Sequence, residues 1–151
     1  MCTKKFTNDK FLIASWLVNK KTLMFFTKIL NKSIQAVNVR RHDLEIKVNS
    51  NNIYPVLYFL QKHTSCRFDC LTDIVCYDDP SKTLRFGIIY NMTSFYYNSR
   101  IRLISKFSGV SALLSAVSLF SGAAWMEREI LDMFGIYFCA TCCMVRIIMC
   151  I

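Results

Sequence analysis

Apolar and polar residues alternate in two short segments that lie close together in the sequence. Segments 34–39 (Ile-Gln-Ala-Val-Asn-Val) and 44–48 (Leu-Glu-Ile-Lys-Val) have the period of two that is typical of half-buried β-strands. The polar cluster 49–52 follows the second segment and is typical of a turn. The pattern therefore predicts two strands followed by a turn.

The next part of the chain is predicted to form a helix and a third strand. Pro55 suits the first turn of a helix, where its missing amide hydrogen costs nothing. The apolar residues that this helix would bury are Val56, Leu57 and Leu60. Segment 68–77 is predicted as a strand, and the Asp-Asp-Pro-Ser segment 78–81 as the turn that ends it.

Two further strands complete a predicted antiparallel meander. Alternate apolar residues place one face of the first strand at Leu84, Phe86, Ile88 and Tyr90. In the second strand, Ile101 and Leu103 share one face. Arg100 and Arg102 would project together from the other face, towards solvent or an acidic neighbour.

The chain contains no charged residue from position 107 to position 126, a length of twenty residues. Such a run is just long enough to span a bilayer, so a small single-span membrane protein anchored by residues 107–126 is one hypothesis. Five serines and two glycines dilute the hydrophobicity of the run, however. We therefore expect a buried helix here rather than a membrane span.

Length and composition favour a single domain. With 151 residues and 54% hydrophobic residues, the chain can bury a core without metals or disulfides. The predicted fold class is α+β, with a mainly antiparallel sheet, helices packed on it and a helical N-terminal extension.

The positive charge is concentrated at the N-terminus. Residues 1–50 contain ten basic and three acidic residues, whereas the rest contains nine and seven. Segment 1–32 is predicted as a basic extension with a helix at 11–32, because it lacks arginine and carries bulky apolar runs that a mitochondrial presequence would not have. The lysines are dispersed and lack an aromatic stacking platform, so nucleic acid is not an expected partner.

Eight cysteines raise the hypothesis of a metal-binding enzyme. Cys66, Cys70 and Cys76 lie in or near the predicted third strand, and the others except Cys2 are at the end of the chain: Cys139, Cys142, Cys143 and Cys150. Cys139 and Cys142 have the spacing of a thiolate site, but a second pair at a matching distance is missing. Structural thiols in a reducing compartment are the expected alternative.

A charged segment interrupts the apolar C-terminal third. Segment 125–136 (Trp-Met-Glu-Arg-Glu-Ile-Leu-Asp-Met-Phe-Gly-Ile) has helical spacing, with Gly135 where a C-cap glycine belongs. The predicted apolar face consists of Met126, Ile130 and Met133 or Phe134. Arg128 and Asp132 stand at i and i+4 on the opposite face, where they could form an ion pair.

This segment resembles the signature of the 30-kilodalton subunit family of respiratory complex I, called NADH dehydrogenase subunit 9 when mitochondrial DNA encodes it. Four other segments are similar to this family in the same order: 53–64, 73–81, 85–102 and 115–125. Several ordered blocks are much stronger evidence than one short motif. The resemblance covers residues 33–138, which we take as the domain, between the extension 1–32 and a divergent cysteine-rich segment 139–151.

The resemblance implies a non-catalytic subunit of the proton-pumping NADH:ubiquinone oxidoreductase. This subunit would lie in the quinone module of the peripheral arm, on the matrix side of the mitochondrial inner membrane, and would reach the membrane only through the complex. Its partners would be the quinone-pocket subunit of the 49 kDa type and the subunit with the terminal iron–sulfur cluster. NADH, FMN, iron–sulfur clusters and ubiquinone would be held by other subunits, so the chain itself is expected to carry no catalytic, cofactor or metal residue.

The resemblance also gives the expected interface residues. They are Trp125, Glu127, Arg128, Glu129, Asp132, Met133, Phe134, Gly135, Arg100 and Arg102. We expect Glu127, Glu129 and Asp132 to form ion pairs at an interface, because no histidine or metal partner accompanies them.

Two expectations concern the gene and the end of the chain. The low glycine and proline content, with 12 phenylalanines, indicates an A+T-rich coding sequence and a mitochondrial gene. The family's basic, proline-containing tail has no counterpart in segment 139–151. We therefore expect another polypeptide to lie beside that segment and to cover the surface that the tail would cover.

Overall fold

A computed structural model describes residues 29–30, 32–40, 43–109 and 112–139. The strands are β1 (Ile34–Arg40), β2 (Asp43–Asn49), β3 (Cys70–Asp78), β4 (Phe86–Ser94), β5 (Ser99–Phe107), β6 (Leu113–Leu114) and β7 (Phe138–Cys139). The helices are a 3-10 turn (Ser50–Asn52), α1 (Ile53–Lys62) and α2 (Ala123–Phe134). The predicted α+β class is confirmed.

Strands β1 to β5 form one mixed sheet, in the order β1-β2-β5-β4-β3. The β3-β4-β5 meander is antiparallel, as predicted, and so is the β1-β2 pair. The pairing of β2 with β5 is parallel. A parallel pair needs a long crossover connection, and here the chain between the two strands contains α1, β3 and β4.

One face of this sheet supplies most of the core. Two rows of side chains cross all five strands in register on this face. They are Ile74, Tyr90, Leu103, Ile46 and Val37 in one row, and Cys76, Ile88, Ser105, Val48 and Ile34 in the other. Nine of the ten are buried, and Val37 packs against them from the edge. The alternation seen in the sequence is therefore the alternation between core and open face.

Helix α1 packs on the same face of the sheet. Its buried residues include Val56, Leu57 and Leu60, as predicted from the position of Pro55 in the first turn. Helix α2 adds Ala123 and Ile130 to the same core. Both helices thus cover one side of the sheet, which gives a two-layer domain.

Two predictions about strand bounds need correction. The third strand begins at Cys70 rather than at position 68, and Cys66 lies in the turn before it. Leu84 lies outside β4 and is exposed, because β4 begins only at Phe86. The salt bridge between Arg85 and Asp78 closes the turn at this point instead.

The prediction of a buried helix over residues 107–126 is wrong. Strand β5 ends at Phe107, the two-residue strand β6 follows, and α2 begins only at Ala123. Gly109 has a positive φ of 85°, which a helix does not allow, and the serines favour turns over a helix interior. No helix among the described residues is long and apolar enough to cross a membrane.

Two other predictions fall on residues that the structure does not describe. The helix expected at 11–32 lies almost entirely outside the described residues. Of the divergent segment 139–151, only Cys139 is described, as the last residue of β7.

Tyr90 lies at the centre of the core and is fully buried. Its hydroxyl has no hydrogen-bond partner among the described residues. Burial, followed by the nearby Glu127 and Cys76 charges, raises the pKa of Tyr90 above its ordinary value of about 10. The neutral hydroxyl is therefore the form that the folded state tolerates.

We predict that the free energy of unfolding of Tyr90→Phe equals that of the wild type or exceeds it by up to about 1–2 kcal/mol. The reason is that a buried hydroxyl without a hydrogen-bond partner is costly. The pKa of Tyr90 is higher in the folded state than in the unfolded state, so the wild-type protein loses stability as the pH rises above about 10. Tyr90→Phe should remove the part of this loss that comes from Tyr90. Urea unfolding at neutral and alkaline pH measures both effects.

Tyr97→Phe is the control, because the Tyr97 hydroxyl donates a hydrogen bond to the Thr64 carbonyl at 3.0 Å. This change should cost up to about 1 kcal/mol. A greater loss in Tyr90→Phe than in Tyr97→Phe would show that the Tyr90 hydroxyl is satisfied in the folded protein.

Candidate functional site

Helix α2 contains most of the predicted interface residues, and its C-terminal end is well defined. Gly135 has a φ of 69°, and its amide donates to the Leu131 carbonyl at 2.9 Å. The left-handed conformation is one that glycine adopts without the strain a Cβ would cause. The predicted C-cap is confirmed.

Glu127 is the most deeply buried charged residue of the described chain, with 2% of its surface exposed. The Ser115 hydroxyl donates to its Oε2 at 2.7 Å, and the Ala116 amide donates to its Oε1 at 2.7 Å. The Val117 amide in turn donates to the Ser115 hydroxyl oxygen at 3.2 Å. One carboxylate thus holds the loop at 115–117 against α2.

Glu127 was expected to form an ion pair at an interface, whereas the structure buries its carboxylate against donors of the same chain. Its ion pairing stays a prediction. Its neighbours Arg128 and Glu129 gave it the pattern of a solvated helix face, but the carboxylate points inward. The donors come from the loop between β6 and α2, more than ten positions earlier in the sequence. The sequence pattern of α2 did not reveal the Ser115 hydroxyl and the Ala116 amide as partners of Glu127. The spacing of residues along a helix gives no information about hydrogen-bond partners outside that helix.

The loop and the residues after α2 are joined by the short parallel pair of β6 and β7. The Leu113 amide donates to the Tyr137 carbonyl at 3.1 Å, and the Ser115 amide donates to the Cys139 carbonyl at 3.0 Å. Phe138 is buried in the core. The loop, α2 and β7 therefore form one connected unit, with the Glu127 carboxylate at its centre.

The outward side of α2 carries a stripe of exposed residues at intervals of four, which we call the outer stripe: Trp125, Glu129 and Met133. Trp125 is 61% exposed and Met133 is 67% exposed. Tyr137, beyond the end of the helix, is 54% exposed and lies next in the chain to buried residues. Monomeric proteins rarely leave so many large apolar side chains exposed in one region.

The outer stripe changes the predicted division of α2 into faces. Met133 does not lie on the buried face, whereas Ile130 is buried and Met126 and Phe134 pack partly against the core. Burial of Glu127 and Ala123 turns the helix so that Met133 points outward.

The remaining charged residues of α2 are half-buried. The Arg128 Nε donates to the Ala124 carbonyl at 3.2 Å, one turn back along the helix. The predicted i,i+4 ion pair with Asp132 stays a prediction. Asp132 lies partly buried on the same helix.

Arg100 and Arg102 lie on a different surface from α2. Both are exposed, as predicted, and they alternate with the buried Ile101 and Leu103. They therefore point away from the helices, and Arg102 approaches Glu45 at 3.9 Å. The exposed residues among the ten predicted site residues belong to two surfaces on opposite sides of the sheet.

The described cysteines are free thiols. Burial raises the pKa of the Cys66 thiol to about 11. Burial and, secondarily, the Asp78 charge raise the pKa of Cys76 to about 11. Cys139 is exposed, and the other three cysteines near the end lie outside the described residues. Within the described ranges, no three His, Cys, Asp or Glu side chains are grouped so as to hold a metal ion.

The two-layer domain and the outer stripe define a class of protein. An exposed apolar stripe that includes a tryptophan, on a helix fixed internally by a buried carboxylate, is typical of a subunit interface. The geometry is that of an interaction domain.

Comparison with known proteins gives the family. The sequence model of the family described as "Respiratory-chain NADH dehydrogenase, 30 Kd subunit" matches residues 46–150. The chain belongs to this family, which confirms the resemblance seen in the sequence. The match extends into the segment 139–151, which was expected to be divergent.

Three relatives illustrate the similarity. The chain is 41% identical over 114 residues to the probable NADH-ubiquinone oxidoreductase 30.4 kDa subunit, mitochondrial, of Candida maltosa, covering 76% of this chain and 41% of the relative. It is 36% identical over 116 residues to NADH-ubiquinone oxidoreductase subunit 9 of Reclinomonas americana, covering 77% and 55%. It is 38% identical over 121 residues to NADH dehydrogenase [ubiquinone] iron-sulfur protein 3 of Oryza sativa subsp. japonica, covering 80% and 64%. The chain thus spans from two fifths to less than two thirds of these relatives.

Two solved structures share the fold. One is the trypsin-resistant fragment (1-134) of Nqo5, with a TM-score of 0.66 and 20% identity, covering 80% of this chain and 96% of that one. The other is a chain of the membrane-bound sulfane sulfur reductase, an archaeal respiratory membrane complex, with a TM-score of 0.65 and 21% identity, covering 80% and 71%. At these identities the likeness shows the fold alone.

We predict that Glu127→Ala lowers the free energy of unfolding by about 3 kcal/mol, because it leaves two buried donors without their acceptor and opens a cavity. Glu129→Ala is the matched control, with the same chemical change two positions later at an exposed site. It should change stability by less than about 0.5 kcal/mol. Denaturant unfolding of both variants measures the difference, and equal losses would contradict the role of Glu127.

We predict that the Cys66 and Cys76 thiols react at least about tenfold more slowly than Cys139 with an alkylating reagent at pH 8. Burial raises the pKa of both thiols to about 11, which leaves very little thiolate at this pH, and it also restricts the access of the reagent. Mass spectrometry of timed samples of the full chain resolves each cysteine. Labelling of Cys66 or Cys76 as fast as that of Cys139 would show that these thiols are not packed.

Proposed function

We propose that this chain is a non-catalytic structural and assembly subunit of the proton-pumping NADH:ubiquinone oxidoreductase. It would lie in the quinone module of the peripheral arm, on the matrix side of the mitochondrial inner membrane. The observation that carries the proposal is the outer stripe of α2, which lies within the most specific sequence block and is held in place from inside by Glu127. The names of the relatives support the same complex and a mitochondrial location.

On this proposal the chain contributes to oxidoreductase activity through the assembly. NADH, FMN, the iron–sulfur clusters and ubiquinone would bind to other subunits. The Glu127 carboxylate, the most deeply buried charge that the structure describes, is engaged with Ser115 and Ala116. Such a carboxylate positions a loop and does not need to exchange protons with a substrate.

The outer stripe has the chemistry of an interface core. Tryptophan is among the residues that most often dominate binding energy at interfaces. Burial of apolar surface contributes about 25 cal/mol per Å², so burying Trp125 and Met133 against a partner would stabilise the assembly by several kcal/mol before the costs of association. The Glu129 carboxylate between them would require a donor from the partner.

The proposed partners are the quinone-pocket and terminal-cluster subunits. The half-buried Arg128 and Asp132 flank the outer stripe and would lie at the rim of this interface, where charges set orientation more than affinity. The expected further chain beside segment 139–151 remains a prediction. The exposed Leu114 pairs in register with Cys139 and is where such a chain would make contact.

The alternative of a single-span membrane protein is not favoured. Residues 107–126 contribute to β5, β6 and α2 rather than to one continuous helix. The metal-enzyme hypothesis rests on cysteines of which only Cys139 is described.

We predict that Met133→Asp reduces the amount of assembled complex at least about tenfold, because a buried, unpaired carboxylate at an interface costs more than the 1.4 kcal/mol that corresponds to this factor. The free chain should keep its unfolding free energy within about 0.5 kcal/mol, since Met133 is exposed there. The measurement is the NADH dehydrogenase band on a native gel of solubilised inner membranes from cells that lack the wild-type chain.

Tyr58→Asp is the matched control, because Tyr58 is an exposed aromatic residue of α1, outside the outer stripe. It should leave the band within about twofold of wild type. A normal band in Met133→Asp would show that the outer stripe is not an interface. Absence of the wild-type chain from this band would overturn the proposed function itself.

A further inference from the structure

The sheet has a second face, which no described helix covers. We call it the open face: the side chains of β2 to β5 that point away from α1 and α2. These side chains alternate with the core residues and are exposed or half-buried. A two-layer domain normally leaves one sheet face to solvent or to a partner, and the residues on that face distinguish the two cases.

An apolar band runs across the open face from the middle strand β5 to the edge strand β3. Val75, Ile89 and Ile104 are neighbours in register on β3, β4 and β5. Val75 is 40% exposed and the other two are half-buried. A sheet face that remains in water usually carries polar residues at such positions, so a band of β-branched side chains across three strands indicates a contact surface.

Basic residues flank this band. The charged residues of the open face are Lys47, Arg100, Arg102 and Lys106, against Glu45 and Asp73. Glu45 is already engaged by Arg102 at 3.9 Å. Lys47 pairs with Ile104 and continues the row of the band on β2, and Arg100 lies further along β5, beyond Arg102. Both are exposed, so the unneutralised charge around the apolar band is positive.

We propose that the open face is a second docking surface, which binds an acidic amphipathic helix of another subunit. The apolar side of such a helix would cover Val75, Ile89 and Ile104. Its acidic residues would meet Lys47 at the β2 end of the band and Arg100 further along β5. A helix is the fitting element because the free surface is a sheet face rather than a strand edge, and helices are what cover sheet faces in layered domains.

The positive charge of the open face favours a partner from outside this chain. Segment 1–28 contains six lysines and one aspartate, and segment 140–151 contains one arginine and no acidic residue. Either segment would bring positive charge to a positive face. An acidic partner is attracted to the face and is oriented by it.

Nucleic acid fits the open face less well. Single-stranded nucleic acid would need aromatic side chains that are free for base stacking, whereas the band is aliphatic and the neighbouring Tyr77 ring packs over Gly87.

This inference rests on the proposed function to the extent that the chain must be part of a complex. The first test places a photoreactive amino acid at Val75 in the full chain, within the assembled complex, and identifies the cross-linked peptide by mass spectrometry. The expected product is a segment of another subunit in which acidic residues outnumber basic ones and apolar residues recur with helical spacing. A cross-link to segment 1–28, segment 140–151, lipid, nucleic acid or a basic segment, or no cross-link at all, would overturn the proposal.

The second test reverses charges. Arg100→Glu combined with Lys47→Glu should lower the amount of assembled complex about tenfold, since repulsion replaces attraction at a partly desolvated interface. Lys32→Glu combined with Lys62→Glu is the control, with the same change in net charge at exposed positions off the open face. The control should stay within about twofold of wild type.

The outcomes separate the two proposals. Wild-type chain missing from the NADH dehydrogenase band would count against the proposed function. Wild-type chain present in the band, with equal yields for the two double variants, would overturn only the docking of an acidic helix on the open face.

Discussion

The structure of the C-terminal part depends on one buried carboxylate. Taking the charge of Glu127 out of water is costly, and the cost is offset because the Ser115 hydroxyl and the Ala116 amide both donate to it. These hydrogen bonds join a loop that has little regular structure of its own to a helix that has no side-chain cap at its N-terminus. They fix the rotation of α2 about its axis, and with it the direction in which Trp125 and Met133 point.

The sheet gives the domain two usable surfaces on opposite sides. Its inner face is filled by α1, α2 and the apolar rows centred on Tyr90, so neither surface is needed for the core. The outer stripe is apolar with a single carboxylate, whereas the open face is apolar with flanking basic residues. A domain with two such surfaces can lie between two neighbours in an assembly, as proposed above.

Much of the fold could be predicted from local sequence patterns, and the predictions that were wrong or missing have physical reasons. Alternation identified the strands, Pro55 identified α1 and Gly135 identified the end of α2, because each depends on residues close in sequence. The parallel pairing of β2 with β5 depends on distant segments and left no local signal. The uncharged run 107–126 resembled a helix in composition, but glycine conformation and serine hydrogen bonds make it a strand, turns and a helix start. The burial of Glu127 also left no local signal, because its hydrogen-bond partners lie outside its helix.

The central claim is that Glu127 acts inside the domain to orient a surface that another subunit covers. A structure of the assembled respiratory complex that contains this chain tests this most directly. It should show the Glu127 carboxylate still bonded to Ser115 and Ala116, with Trp125 and Met133 buried against a different chain. A structure in which Glu127 contacts another subunit or a redox group while Trp125 and Met133 face solvent would contradict the account.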